Sequence, residues 1–176
     1  PPPPPPPPPA ASEIDLLMIC PKGIIVFESK NYNGWIFANR KHDFWTQSLA
    51  VGRGRPSHKE RFYSPILQNR GHLWALKAYL GYDGIPMLSV IAFSDDCTLK
   101  YISVFDGKKQ SEYVTYYSQA ASVVQYIFDH EPDWKTDENK INEVYDKLYA
   151  CTQVNEETKL AHIEDVQEAK AKSLQK

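Results

Sequence analysis

The sequence predicts an α/β fold of the mixed α+β kind, a central mixed β-sheet flanked by helices. Three observations lead there. Gly23 to Lys30 opens with Ile24, Ile25, Val26 and Phe27, so apolar that both faces of the strand must be buried, as in the middle of a sheet. Ser64-Pro65 opens a helical period that Gly81 closes. Segments then follow in the order strands, helix, strands, helices, and 176 residues with 42% apolar and 12% aromatic content suffice for one domain with a substantial core.

Pro1 to Pro9 is a homopolymeric tract restricted to polyproline-like conformations and without side-chain chemistry, so it stands outside a folding unit expected over residues 10–176. It does not read as a natural beginning, because strand-forming sequence follows within a few residues; an upstream part of the domain is expected. Glu13 to Cys20 is the first expected strand and Gly23 to Lys30 the second, joined by a hairpin turn at Cys20-Pro21-Lys22-Gly23. Asn33-Gly34 is a strong hairpin signal and is expected to return the chain as a third strand through Trp35, Ile36 and Phe37. His42 to Tyr63 lacks a regular period and contains Gly52-Arg53-Gly54-Arg55-Pro56, which reads as a long basic loop.

The helix from Pro65 to Leu80 has Ile66, Leu73, Leu76 and Leu80 as its core stripe. Met87 to Phe93 and Tyr101 to Phe105 read as strands linked by a polar stretch around Asp95-Asp96. Tyr113, Tyr117, Ala120, Val124 and Ile127 predict a helix over Ser111 to Phe128. Ile141, Val144, Tyr145 and Leu148 mark another, and Glu156 to Gln175 a last, charged one.

The best clue to chemistry lies around the first hairpin. If its loop is symmetric about Pro21 and Lys22, cross-strand partners have numbers summing to 43, which sets Asp15 opposite Glu28 with Cβ atoms roughly 5 Å apart. Glu28 and Lys30 share a face because side chains alternate along a strand. Carboxylates in contact resist joint ionisation, so the pair calls for a cation. Lys30 supplies one, and two carboxylates with a backbone carbonyl and waters make an oxygen shell suited to Mg²⁺, with Mn²⁺ as substitute, leaving positions for phosphate oxygens.

A formal net charge of -2 conceals an asymmetry. Between Arg40 and His72 seven basic residues (Arg40, Lys41, Arg53, Arg55, Lys59, Arg61, Arg70) face two acids, Asp43 and Glu60, whereas residues 129–176 hold twelve acids and seven lysines. The basic segment suits a phosphate backbone. Trp35 and Trp45 have the chemistry to stack on unpaired bases, with burial in the core as the competing expectation. Cys20, Cys97 and Cys151 show neither a disulfide pattern nor zinc-ligand spacing. With no apolar run near the ~18 residues of a membrane helix and no signal peptide, a cytoplasmic protein is expected, with no membrane partner.

The run Glu13-Ile14-Asp15, then Pro21-Lys22-Gly23-Ile24-Ile25-Val26-Phe27-Glu28-Ser29-Lys30-Asn31-Tyr32-Asn33-Gly34-Trp35, closely resembles the nuclease-related domain, NERD. Phe44-Trp45-Thr46-Gln47, Tyr63-Ser64-Pro65-Ile66-Leu67-Gln68-Asn69-Arg70-Gly71-His72, and Ile85-Pro86 leading to Ile91-Ala92-Phe93-Ser94 follow in the family's order, and the resemblance is extended from about Glu13 to the chain's end. It implies a restriction-endonuclease-like fold of the PD-(D/E)xK nuclease superfamily. It further implies Asp15, Glu28 and the Ser29 carbonyl as metal ligands, Lys30 as the group positioning the attacking water, and Gln68 as a further catalytic residue. His72, one turn from Gln68, is expected to act with it near the phosphate. Arg53, Arg55, Arg61 and Arg70 are the other expected substrate-binding residues. Leu16 departs from the family, which often has histidine there, and the family's leading glutamate-bearing helix has no counterpart after the proline tract. Glu13, two residues from Asp15, is the candidate substitute.

The sequence thus points to metal-dependent hydrolysis of phosphodiester bonds, in DNA more than RNA. The alternative is an inactive nucleic-acid-binding module acting with a helicase or other DNA-processing partner, as befits a family that occurs beside helicases and in repair or defence. A third reading is an assembly domain, a homo-oligomer included, whose C-terminal helices pair with another chain.

Overall fold

The structure, a computed structural model, describes residues 13–52, 56–81 and 84–152. They belong to two compact units that divide after Lys135. The larger is built on two four-stranded mixed sheets. In the first, β1 (Leu16–Cys20), β2 (Gly23–Lys30), β6 (Met87–Phe93) and β8 (Tyr113–Tyr116) lie side by side in that order; β1 is antiparallel to β2, and β2, β6 and β8 are mutually parallel. The second has the order β5 (His58–Tyr63), β4 (Phe44–Leu49), β3 (Gly34–Phe37), β7 (Cys97–Lys100), with β5, β4 and β3 as an antiparallel meander and β7 parallel to β3. Helix α1 (Pro65–Leu80) crosses back to the first sheet over β2 and β6, and α2 (Ala120–His130) follows β8 after one 3₁₀ turn at Tyr117–Gln119.

The two sheets share a register. Ile24 pairs with Met87 and Lys30 with Phe93; beyond a break at residues 31–33 and 94–96, Gly34 pairs with Cys97 and Phe37 with Lys100, always 63 positions apart. The expected single central sheet is therefore one parallel ribbon, bent once, with different strands added on each side of the bend. Backbone hydrogen bonds cross the break from Ser94 N–H to Lys30 (2.9 Å) and from Gly34 N–H to Asp96 (3.3 Å).

Several expectations change. Glu13 to Asp15 lie outside β1, so strand alternation does not set Glu13 or Asp15 on a face with Leu17 and Ile19. Gly34 does turn the chain, with φ 70°, but not as a hairpin on β2, because both edges of β2 are already taken by β1 and β6. The stretch read as a long loop contains β4 and β5; β5 is an edge strand whose His58, Lys59, Glu60 and Arg61 are all exposed, which hides any strand period. Tyr101 to Phe105 is not a strand, and Tyr113 to Tyr116 is a buried strand rather than the start of a helix, as its aromatic and β-branched residues favour. Helix α1 runs from Pro65 to Leu80 as expected, but the Ser64 hydroxyl makes no capping bond. The helix expected over Glu156 to Gln175 lies outside the described residues.

Alternation along β6 serves two cores, with Val90 in one and Ile91 and Phe93 in the other. Ile25 packs with Cys20, Val90, Tyr113, Val123 and Ile127 on the α2 side, while Trp45 stacks on Phe93 at 6.1 Å in a second cluster with Ile36, Ile66 and Ile91. The β1–β2 turn depends on Gly23, whose φ of 112° suits glycine and whose added Cβ would lie 2.2 Å from the Pro86 carbonyl oxygen. Gly23→Ala is expected to lower stability by about 2 kcal/mol, read as a lower thermal midpoint. A midpoint unchanged from wild type would contradict this account of the turn.

The smaller unit contributes α3 (Glu138–Thr152), with Lys140 and Lys147 both paired to Glu143. Cys20, Cys97 and Cys151 are free thiols. Among the described residues, no helix is long and apolar enough to cross a membrane.

Candidate functional site

Glu28, Lys30, Gln68 and His72 converge where β2 reaches the bend. The β1–β2 ladder keeps the expected register, from Cys20 against Gly23 to Leu16 against Phe27, and stops one rung short of Glu28. In place of the next rung the Asp15 carboxylate accepts the Ser29 N–H at 2.8 Å. A strand residue's N–H and C=O point to the same edge, so the Ser29 carbonyl faces the edge where Asp15 sits. The neighbouring Lys30 carbonyl faces the other way, toward β6, where Ser94 N–H meets it at 2.9 Å.

Glu28 and Lys30 point to the α1 side. Glu28 is 1% exposed. Its Oε1 accepts from Lys30 Nζ at 2.5 Å and its Oε2 lies 3.2 Å from His72 Nε2. Lys30 also donates to Gln68 Oε1 at 3.0 Å. Gln68 and His72 sit one turn apart on α1, so the helix grips the Glu28–Lys30 pair at both ends. Burial alone would raise the Glu28 carboxyl, but the hydrogen bonds and charges of His72 and Lys30 outweigh it and hold the group below its ordinary value of 4.5. With Glu28 ionised and able only to accept, His72 Nε2 must carry the hydrogen between them.

His72, expected to touch substrate, is 7% exposed and has its Nε2 against the Glu28 carboxylate. Arg70, 48% exposed along its side chain, is paired with a carboxylate. Its guanidinium makes two bonds to Glu112 Oε1, at 2.5 and 2.8 Å, and Arg40 reaches Oε2 at 2.9 Å. Trp45, 1% exposed and donating Nε1–H to the Asn39 carbonyl at 3.0 Å, belongs to the core and offers no face to a base. Arg61 is exposed on β5 with its guanidinium 4.9 Å from the Phe44 ring centre. Glu13 is exposed ahead of Asp15, and Arg53 and Arg55 lie outside the described residues.

Sequence reasoning missed three participants. Tyr117 follows β8 and its hydroxyl meets Ser29 Oγ at 2.8 Å. Asn69, fully buried on the inner face of α1, donates to the Val26 carbonyl (3.0 Å) and to Ser89 Oγ (2.8 Å), locking the helix to β2. Tyr32 lies tilted against Phe62 with ring centres 4.5 Å apart, and burial, then the charges of Glu60 and Glu28, push its hydroxyl above the usual range. A signal existed for Asn69 and His72, since both interrupt the apolar stripe of α1 at core-facing positions.

The oxygens of Asp15, Glu28 and the Ser29 carbonyl suit a hard divalent cation. Both Glu28 oxygens already accept one bond each, but a carboxylate offers about four lone-pair sites. Among the described residues no group of three or more His, Cys, Asp or Glu forms a ready metal cluster. Two carboxylates and a carbonyl match Mg²⁺, which keeps several waters and takes substrate phosphate oxygens rather than an all-protein cage.

Residues 5–94 match the family model of the nuclease-related domain, and that span carries Asp15, Glu28, Ser29, Lys30, Gln68 and His72. The chain belongs to the NERD family. NERD domains share the PD-(D/E)xK nuclease-like fold, and the mixed α+β architecture of the described residues is restriction-endonuclease-like. The match ends at Ser94, so the resemblance drawn to the chain's end is carried by the family model only that far. An uncharacterized protein of Bacillus anthracis is 26% identical over 152 residues, 86% of this NERD chain. The chain spans 65% of that relative's length. No solved structure matches.

Proposed function

We propose that the protein is a metal-dependent nuclease that hydrolyses phosphodiester bonds, with DNA as the favoured substrate. The observation that carries the reading is the hydrogen-bonded set Glu28, Lys30, Gln68 and His72 beside Asp15 and the Ser29 carbonyl, at the open end of one sheet edge. A structural ion pair alone would not need a second carboxylate on the neighbouring Ser29 N–H.

Asp15, Glu28 and the Ser29 carbonyl would hold Mg²⁺ or Mn²⁺. The ion supplies Lewis-acid polarisation of the phosphoryl oxygen and an acidified water. Gln68 and Glu28 fix the Lys30 amine from two sides, so its charge would be available to offset negative charge developing at the phosphate or to aim the water. His72 holds the Glu28 carboxylate in the orientation that a ligand needs. A helicase or other DNA-processing protein is the partner proposed for the wider setting, in the cytoplasm.

The test is cleavage of labelled single- and double-stranded DNA and RNA with Mg²⁺, Mn²⁺ or EDTA. Metal-dependent cutting that Lys30→Ala loses supports the reading. Salt-sensitive binding without cutting would favour the binding-module alternative. His72→Ala is expected to weaken the apparent Mg²⁺ affinity about 10- to 100-fold with a smaller effect at saturating metal. An unchanged Mg²⁺ titration would show that His72 has no part in orienting Glu28.

A further inference from the structure

The outer face of the second sheet combines aromatic rings and cations with no acid among them. Residues directly paired across strands share a face. By register Trp35 lies beside Ser48 and Thr98, Phe37 beside Thr46 and Lys100, Lys59 beside Ser48, Arg61 beside Thr46, and Tyr63 beside Phe44. Every one of these positions belongs to the side away from Trp45, Gln47, Ile36 and Leu99, which are buried. None of the ten is Asp or Glu.

Three rings on this face are about half exposed: Trp35 at 55%, Phe44 at 50% and Tyr63 at 48%. Two carry cations, Arg61 4.9 Å from the Phe44 ring centre and Lys100 Nζ 5.2 Å from that of Trp35. Next to them Tyr101 is 83% exposed, its ring 5.9 Å from Phe37, and it holds a left-handed φ of 62°. That conformation is costly for a bulky residue, and here it accompanies a ring projected into solvent rather than into a core.

We infer that this face is a stacking platform for single-stranded nucleic acid. Exposed rings need unstacked bases, which a duplex does not offer, and the flanking Lys59, Arg61 and Lys100 suit the phosphates of a strand lying across the sheet. The chain also ties the platform to the candidate site: Trp35 is five residues beyond Lys30, so the two Cα atoms are at most about 18 Å apart. The inference rests on nucleic acid being the substrate and names its class as single-stranded.

Binding is measured with the full chain in EDTA, so that it is read without cleavage, by fluorescence anisotropy of a labelled oligothymidine and a duplex of equal length. The single strand is expected to bind at least about tenfold more tightly, and Trp35→Ala and Tyr101→Ala each to weaken it about tenfold, with thermal midpoints unchanged because both side chains are exposed. Equal affinity for duplex, binding indifferent to both variants, or no binding at all would overturn the platform. So would a dimer in sedimentation that Trp35→Ala dissolves without any oligonucleotide binding. Failure of the nuclease reading looks different: no cleavage under any metal, with strand binding still lost in Trp35→Ala, leaves the platform standing. Intact cleavage with binding indifferent to Trp35→Ala removes the platform alone.

Discussion

Glu28→Gln is expected to cut nucleic acid at least about a hundredfold more slowly than wild type while remaining folded. The amide has the shape of the carboxylate, and its oxygen can still accept from Lys30, so packing against α1 survives. What is lost is charge. Glu28 is 1% exposed and kept ionised by Lys30 and His72, so the substitution removes the one fully buried negative charge at the site. Lys30, whose side chain is 18% exposed, then lacks its countercharge, and the oxygen set loses half its carboxylate charge. Single-turnover rates across a Mg²⁺ titration provide the measurement. A variant within threefold of wild type at all metal concentrations would end the assignment of Glu28 to the chemistry.

Glu112→Ala is expected to cost about 2–3 kcal/mol of stability, the largest effect away from the site. Glu112 is 7% exposed and ties Arg70 of α1 and Arg40 of the β3–β4 connection to the start of β8, with Ser111 Oγ adding a bond at 2.7 Å. Removing it strands two guanidiniums, but their side chains are 33% and 48% exposed, and water recovers part of the loss. Burial would raise the Glu112 carboxyl, yet bonds from Ser111 and Arg70 and the charges of both arginines hold it below 4.5. A group depressed in the folded state stabilises above its unfolded value and loses that contribution as pH falls through the folded one. The gap between wild type and Glu112→Ala in denaturant midpoint should therefore be full at pH 7 and shrink below about pH 4. A gap independent of pH would mean that packing, not charge, supplies the stability.

The legible parts of this molecule were those where local chemistry and tertiary context agree. Pro21-Lys22 fixed the β1–β2 register because a two-residue turn leaves no freedom in pairing, and Ser64-Pro65 with Gly81 bounded α1. Glu28 and Lys30 followed from alternation. Asp15 came to the right place by another route, as a side chain closing the ladder after β1 had ended. Of the second sheet β3 was legible as a strand but was expected as the far arm of a hairpin, and β5 was hidden by its solvent-facing charges at an edge. The partners of His72 and Arg70 were illegible for a shared reason: sequence reveals that a group is charged or titratable, but not that a buried carboxylate elsewhere, Glu28 or Glu112, will claim it.

The bent ribbon has a consequence for how relatives of this chain vary in length. Because β2–β6 and β3–β7 keep one 63-residue offset across the bend, residues 31–33 and 94–96 behave as matched spacers. A single deletion in only one of them would slide β3 against β7 by a residue and turn Trp35 and Phe37 inward while exposing Ile36. Insertions and deletions at the two spacers should therefore occur together or not at all, even though the 60 residues 34–93 separate them.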